Sequence, residues 1–232
     1  AKKAWGSVMV AVVALALVFV YYVFVYKSWG PRIYDPQDKI SLPILVIFHI
    51  LAFFLIWSFI QTLITDPGEV PIYWGFRVGD PDDRRRRYCL MCNLYKPERC
   101  HHCSACGRWI LNMDHHCPWV NNCIGFWNRK YFILLLFYVQ ITTIYVMITL
   151  SLDLVKSWLW IYEEIFGYRG FHYNELKTAV LTIITYLFVS LICILMFFFF
   201  KFHRKLMKEN KTTIENLEHK SKPYLSKYDI SS

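Results

Sequence analysis

Four long stretches without a charged residue limit what this chain can fold into: residues 4–26, 42–64, 131–152 and 178–200. Each is 22 or 23 residues long. That is about 34 Å as an α-helix, against a bilayer hydrocarbon core of about 30 Å. Within lipid a backbone has to satisfy its own hydrogen bonds, so such runs are read as spanning helices. The first is too long for a cleaved signal sequence, whose apolar region is about 7–15 residues. Composition agrees. The 232 residues are 56% hydrophobic and 19% charged, whereas soluble domains carry about 25% charged residues. An ordinary soluble domain and a disordered chain are both excluded.

The basic residues are segregated. Of 26 Lys and Arg, 20 lie before residue 4, in the loop 65–130 or in the tail 201–232, and six lie in loops 27–41 and 153–177. By the positive-inside rule both termini and the middle loop are expected on the cytoplasmic side of a multi-pass membrane protein. Trp5, Trp29, Trp57, Trp158, Trp160, Tyr26 and Tyr131 flank the runs and read as interfacial anchors. The run Arg84, Arg85, Arg86 and Arg87 suits anionic lipid or a phosphate-bearing ligand. No extended basic surface with interleaved aromatics accompanies it, so nucleic acid is not an expected partner. His49, inside the second run, is read as a neutral imidazole bonded to a neighbouring helix. Thr142 and Thr143 either face a cavity or bond to their own helix.

Seven of the eight cysteines and four of the eight histidines fall between residues 89 and 123. Cys193 lies in the fourth run and reads as a small apolar residue. On the cytoplasmic side disulfides are disfavoured. The pairs Cys89-x2-Cys92 and Cys103-x2-Cys106, with His102, His116 and Cys123 interleaved, suit tetrahedral zinc. Eleven thiol or imidazole groups are present: Cys89, Cys92, Cys100, His101, His102, Cys103, Cys106, His115, His116, Cys117 and Cys123. Two closed sites would use eight of them. Structural zinc is expected, because a 66-residue loop cannot build a large core of its own.

Asp114-His115-His116-Cys117-Pro118 is where chemistry is expected. Pro118 pushes Cys117 towards an extended conformation, in which His115 and Cys117 share one face and His116 takes the other. With a backbone bend near 114–115, Asp114 can orient His115. The result is a thiol nucleophile, a base and a carboxylate. The competing reading makes Cys117 and His115 further zinc ligands.

The stretch 89–132 resembles the cysteine-rich domain of DHHC-type protein S-acyltransferases. The likeness rests on Lys96-Pro97, His101-His102-Cys103, Asp114-His115-His116-Cys117-Pro118-Trp119, Asn122-Cys123 and Asn128. Asp66-Pro67-Gly68 resembles the family's DPG motif, and Thr212-Thr213-Ile214-Glu215 its TTxE motif. The resemblance implies an all-α integral membrane protein of four transmembrane helices, with a small zinc-bound cysteine-rich domain (89–128) between spans 2 and 3. It implies that Cys117 accepts the acyl group, that His115 is its base, that Asp114 orients His115 and that Thr213 braces Asp114. Cys103, Cys106, His116 and Cys123 look like one complete zinc site. Cys89, Cys92 and His102 look like three ligands of a second, whose fourth position in the family is here Trp109. Indole cannot ligate zinc, so either Cys100, His101 or a water completes that site, Cys100 being preferred, or the site is weak or empty. The family's aromatic C-terminal motif is not found in residues 218–232, where Tyr224 and Tyr228 read as part of an interfacial or disordered tail.

The expected function is transfer of a long-chain acyl group, such as palmitoyl, from acyl-CoA through S-acyl-Cys117 to a cysteine of a substrate protein. Arg84–Arg87, Arg129 and Lys130 are candidates for the CoA phosphates. A zinc-stabilised adaptor without turnover is the alternative. A transporter is a third class, but the spans lack paired charges and a Gly/Pro-broken core. The setting is the Golgi, the endoplasmic reticulum or the plasma membrane, with an accessory subunit left open.

Overall fold

The computed structural model describes residues 2–71, 74, 87–89, 94–167 and 173–221. The chain is mostly helical. Its long elements are α1 (Lys2–Tyr21), α2 (Ser41–Ile64), α3 (Arg129–Ile165) and α4 (Tyr173–Lys208), and a short α5 (Thr213–Ser221) follows. Helix α1 continues as a π-helical stretch, Tyr22–Trp29, and a 3-10 turn, Gly30–Tyr34. Among the described residues four helical segments are long and apolar enough to cross a membrane: Trp5–Tyr34, Ser41–Ile64, Arg129–Ile165 and Glu175–Lys208.

Helices α3 and α4 are 37 and 36 residues long. At 1.5 Å per residue each exceeds 50 Å, well beyond the apolar runs that marked them. Hydropathy reports the apolar part of a helix and not its ends. The segment 153–165 has no Gly or Pro, and the helix stops just before Gly167, whose φ is +72°. Between α2 and α3, where the small cysteine-rich domain is expected, the all-α class gives way to short strands. That segment contains three antiparallel ribbons of three-residue strands: β1 (Arg87–Cys89) with β2 (Leu94–Lys96), β3 (His101–Cys103) with β4 (Arg108–Ile110), and β5 (His115–Cys117) with β6 (Asn122–Ile124). Strands this short carry too little periodicity to be read from sequence.

The chain forms two compact units. One consists of Ala11–Trp57 and Leu134–Phe200. Its core gathers Phe24, Trp29, Leu45, Phe48, Val146, Leu150 and Val189, with Phe24 and Phe48 stacked at 4.3 Å. Buried Asp153 accepts hydrogen bonds from Ser28 and Arg32, and the Arg32 guanidinium lies over the Trp29 ring. A buried carboxylate has to be paired in this way. His49 donates from Nδ1 to the Leu45 carbonyl at 2.6 Å and accepts at Nε2 from the Tyr21 hydroxyl at 3.1 Å. The imidazole therefore has both nitrogens engaged, one of them by a neighbouring helix. Thr143 bonds back to the Val139 carbonyl of its own helix.

The second unit consists of Ala1–Val10, Ser58–Ile133 and Lys201–Ser232. One of its buried clusters consists of Cys103, Ile110, Met113 and Cys123, with Ile214 packed against them. Polar clamps supplement it. Asn122 Nδ2 donates to the carbonyls of Thr62, Leu63 and Thr65, groups left without partners at the C-terminus of α2. Asn128, fully buried, accepts from Gly125 N and donates to Cys123 O at 2.7 Å. Asp66 accepts from Gly68 N and pairs with Arg108 at 2.7 Å, while Leu111 N donates to Gly68 O. Gly68 has φ +107°, and a Cβ there would meet Trp127 at 3.1 Å. Only glycine suits that turn.

Candidate active site and metal centre

The β5–β6 ribbon places the central motif. His115 pairs with Ile124, His116 with Cys123 and Cys117 with Asn122. Cys117 has φ −104° and ψ 108°, the extended conformation that a following proline favours. Pro118–Val120 then forms a 3-10 turn, and Asn121, at φ 46°, takes the left-handed conformation that Asn tolerates. Alternation along β5 separates His116 from the pair His115 and Cys117.

His116 faces three thiols. Its Nδ1 lies 3.6, 3.5 and 3.5 Å from Sγ of Cys103, Cys106 and Cys123, and Cys106 and Cys123 sulfurs are 3.4 Å apart. A zinc ion with Zn–S of about 2.3 Å and Zn–N of about 2.0 Å at tetrahedral angles sets S···N edges of about 3.5 Å. The donor set fits that ion in number, type and spacing. Burial and the two neighbouring thiols push the Cys123 thiol far up, and burial with the nearby His115 lowers His116, keeping its imidazole neutral as a ligand must be. A dication at the centre of the four donors would relieve the crowding by deprotonating the thiols.

His102 and Trp109 are cross-strand partners in β3–β4, their rings edge to face at 5.5 Å. Cys100 is fully buried. The side chain of Cys89 and the whole of Cys92 lie outside the described residues, as do Arg84, Arg85, Arg86 and the Arg87 side chain.

On the other face of β5, His115 Nδ1 donates to Asp114 Oδ2 at 2.7 Å, and Cys117 lies within hydrogen-bonding reach of His115. Asp114 is fully buried. It also accepts from Thr213 N at 3.0 Å and Thr213 Oγ1 at 2.8 Å. Burial alone would raise its carboxyl, but the bonds from His115 and Thr213 outweigh that and hold it at about 2. Burial likewise works against the His115 charge. The bonded Asp114 and Cys117 prevail and raise the imidazole to about 9. At neutral pH His115 thus keeps a proton beside the Cys117 sulfur. Ionised Asp114, protonated His115 and a cysteine in sequence form an activated-nucleophile arrangement.

Thr213 is held by its own neighbours. Thr212 N donates to Glu215 Oε2 at 2.7 Å and Glu215 N to Thr212 Oγ1 at 3.2 Å, a capping box that starts α5. Glu215 also pairs with Arg99 at 2.5 and 2.8 Å, and Arg99 donates to Asn210 O. Arg129 donates to Lys211 O at 2.6 Å and lies 3.6 Å from Asp114 Oδ1. Lys130 is exposed, its Nζ over the Tyr131 ring. Arg99 and His203, the latter 2% exposed and 3.9 Å from Asp114, escaped the sequence reading. No motif marks them, and Arg99 is 116 residues from its partner Glu215.

A family model, DHHC palmitoyltransferase, matches residues 82–220. The chain belongs to the DHHC palmitoyltransferase family. It is 40% identical over 169 residues to Probable protein S-acyltransferase 13 of Arabidopsis thaliana, covering 65% of this chain and 56% of that relative. It is 34% identical to Probable protein S-acyltransferase 14 of the same plant, covering 95% and 76%, and 30% identical to human Palmitoyltransferase ZDHHC15, covering 92% and 68%. Protein-cysteine S-acyl transfer is the activity class these comparisons support, and an adaptor without turnover is not favoured.

Proposed function

We propose that the chain moves a long-chain acyl group, palmitoyl among those it accepts, from acyl-CoA to protein cysteines through an S-acyl-Cys117 intermediate. The observation that carries this reading is the line Asp114–His115–Cys117, with its 2.7 Å bond between carboxylate and imidazole. Cys117 thiolate attacks the thioester carbonyl carbon, the carbon–sulfur bond to CoA breaks, and CoA leaves as thiol with the proton held by His115. A substrate cysteine then gives its proton to His115 and attacks the acyl-enzyme, and Cys117 departs as thiolate. Asp114 fixes the tautomer and orientation of His115, and Thr213 fixes Asp114.

Zinc at Cys103, Cys106, His116 and Cys123 supplies rigidity to the β5–β6 ribbon. A second ion would be held by Cys89, Cys92, His102 and Cys100; Trp109, the cross-strand partner of His102, occupies the family's fourth-ligand position. The four apolar helices span a Golgi, endoplasmic reticulum or plasma membrane with termini and cysteine-rich domain cytoplasmic, on the charge distribution. The CoA phosphates lie near Arg84–Arg87 and Lys130. Arg129 belongs with these candidates by charge, although its contacts to Lys211 and Asp114 tie it to the acid–base pair.

Incubation with an alkyne-tagged fatty acyl-CoA tests the reading. Hydroxylamine-sensitive label is expected on the wild type and not on Cys117→Ser. Absence of label on the wild type, or equal label on both, refutes it.

A further inference from the structure

The Asp114–His115 pair has a second histidine beside it that the proposed chemistry does not use. His203 lies on α4, 2% exposed, with Nδ1 3.9 Å from Asp114 Oδ2. That is too far for a hydrogen bond. Its ring centroid is 5.7 Å from that of His115, tilted by 43°. Phe132 meets both imidazoles edge-on, His115 at 5.1 Å and His203 at 5.2 Å. Phe202 adds an edge contact to His203 at 5.3 Å.

One ligand atom each of Asp114, His115 and His203 lies within 4.8 Å of the others, but the shortest of these approaches is already used between protein groups. The 2.7 Å between His115 Nδ1 and Asp114 Oδ2 is a hydrogen bond, and Asp114 Oδ2 also takes the Thr213 hydroxyl. The arrangement instead answers a mechanical need. One bond from Nδ1 to Asp114 leaves an imidazole able to pivot about that bond, and a pivot carries Nε2 away from the cysteine. Packing against the ring removes this freedom, and displacements near 1 Å in such groups can cost on the order of a hundredfold in rate.

We propose that His203 is a positioning residue for acyl transfer: with Phe132 it packs against the His115 imidazole and holds its Nε2 on the line to Cys117. The proposal rests on the acyl-transfer reading above. The ring contacts to His115 and Phe132 are kept by an aromatic ring at 203 and lost with alanine.

The test is the single-turnover rate of enzyme acylation by palmitoyl-CoA, measured on the full chain in detergent micelles as a function of acyl-CoA concentration. Wild type, His203→Ala and His203→Phe are compared, with zinc content and melting temperature recorded for each. His203→Ala is expected to lower the maximal rate roughly ten- to a hundredfold, with the half-saturating acyl-CoA concentration and zinc content unchanged. His203→Phe is expected to recover most of that rate. A wild-type maximal rate in His203→Ala overturns the proposal. So does a change confined to half-saturation, or a loss in both variants that tracks lost zinc or melting temperature. If the wild type itself does not acylate, the acyl-transfer reading fails first, and that result is distinct from each of these.

Discussion

At the scale of single residues, Asp114 accepts three hydrogen bonds, one from His115 and two from Thr213. It has no exposed surface, yet it stays ionised because His115 and both polar groups of Thr213 bond to it. A hydrogen bond to a charged group contributes about 1.5–3 kcal/mol. Thr213→Ala removes the hydroxyl bond and leaves the backbone one, so the acylation rate is expected to fall about tenfold, the equivalent of about 1.4 kcal/mol. Thr213→Ser keeps the hydroxyl and is expected to stay within about threefold of wild type on the same order-of-magnitude argument. Rapid-quench labelling with acyl-CoA reads both. Equal rates for Ala and wild type would show that the brace has no effect on the reaction.

The residue scale is also where sequence reading stops. Pro118 announces the extended Cys117, and alternation separates His116 from His115, because both effects are local. His203 meets the His115 ring and Arg99 pairs with Glu215 across 88 and 116 residues, and neither carries a pattern that a single sequence could single out. Arg99 adopts φ 58°, an uncommon conformation for a long side chain, and there its guanidinium reaches Glu215 and Asn210.

Among the elements, the β5–β6 ribbon is joined to its surroundings by polar clamps more than by core. Asn122 caps the end of α2, and Asn128 ties Gly125 to Cys123. Asn128→Ala would leave a buried N–H and a buried carbonyl without partners, at about 1–3 kcal/mol each. Melting in detergent is expected to fall by several degrees, with Asn128→Asp in between because it keeps the acceptor for Gly125 N. A melting temperature for Asn128→Ala equal to wild type would contradict this account of the ribbon. Runs of apolar residues announced the long helices, but not where they end. Of the strands only β5 left a local sign, the extended Cys117 before Pro118, because three residues hold one and a half alternations and too little pattern to mark the others. The TTxE motif is legible as a capping box once Thr212 and Glu215 are seen three residues apart. Its reach to Asp114 becomes visible only in three dimensions.

At the scale of the whole molecule, the proposed zinc sites are what elemental analysis can count. Cys123→Ser takes one of four zinc donors and is expected to release one zinc per chain and abolish acylation, although Cys117 remains. Elemental analysis of the wild type is expected to give a zinc-to-protein ratio near two, falling to near one in Cys123→Ser and in Cys100→Ala. A wild-type ratio near one would remove the second site and leave Trp109 on His102 as its replacement. The cysteine spacing made a metal centre legible from the outset. The ligand partition was harder to read beyond the alternation of His115 and His116, because eleven donors in 35 residues allow many pairings.

The central claim is that, among the clustered cysteines, Cys117 alone carries the acyl group while its neighbours hold metal. Peptide mapping by mass spectrometry, after brief reaction with palmitoyl-CoA at acidic quench, tests it most directly. The account predicts one palmitoyl thioester, on Cys117, lost on treatment with hydroxylamine or with a substrate thiol. A thioester on Cys103, Cys106 or Cys123, or acylation of Cys117 that persists unchanged in His115→Ala, would contradict it.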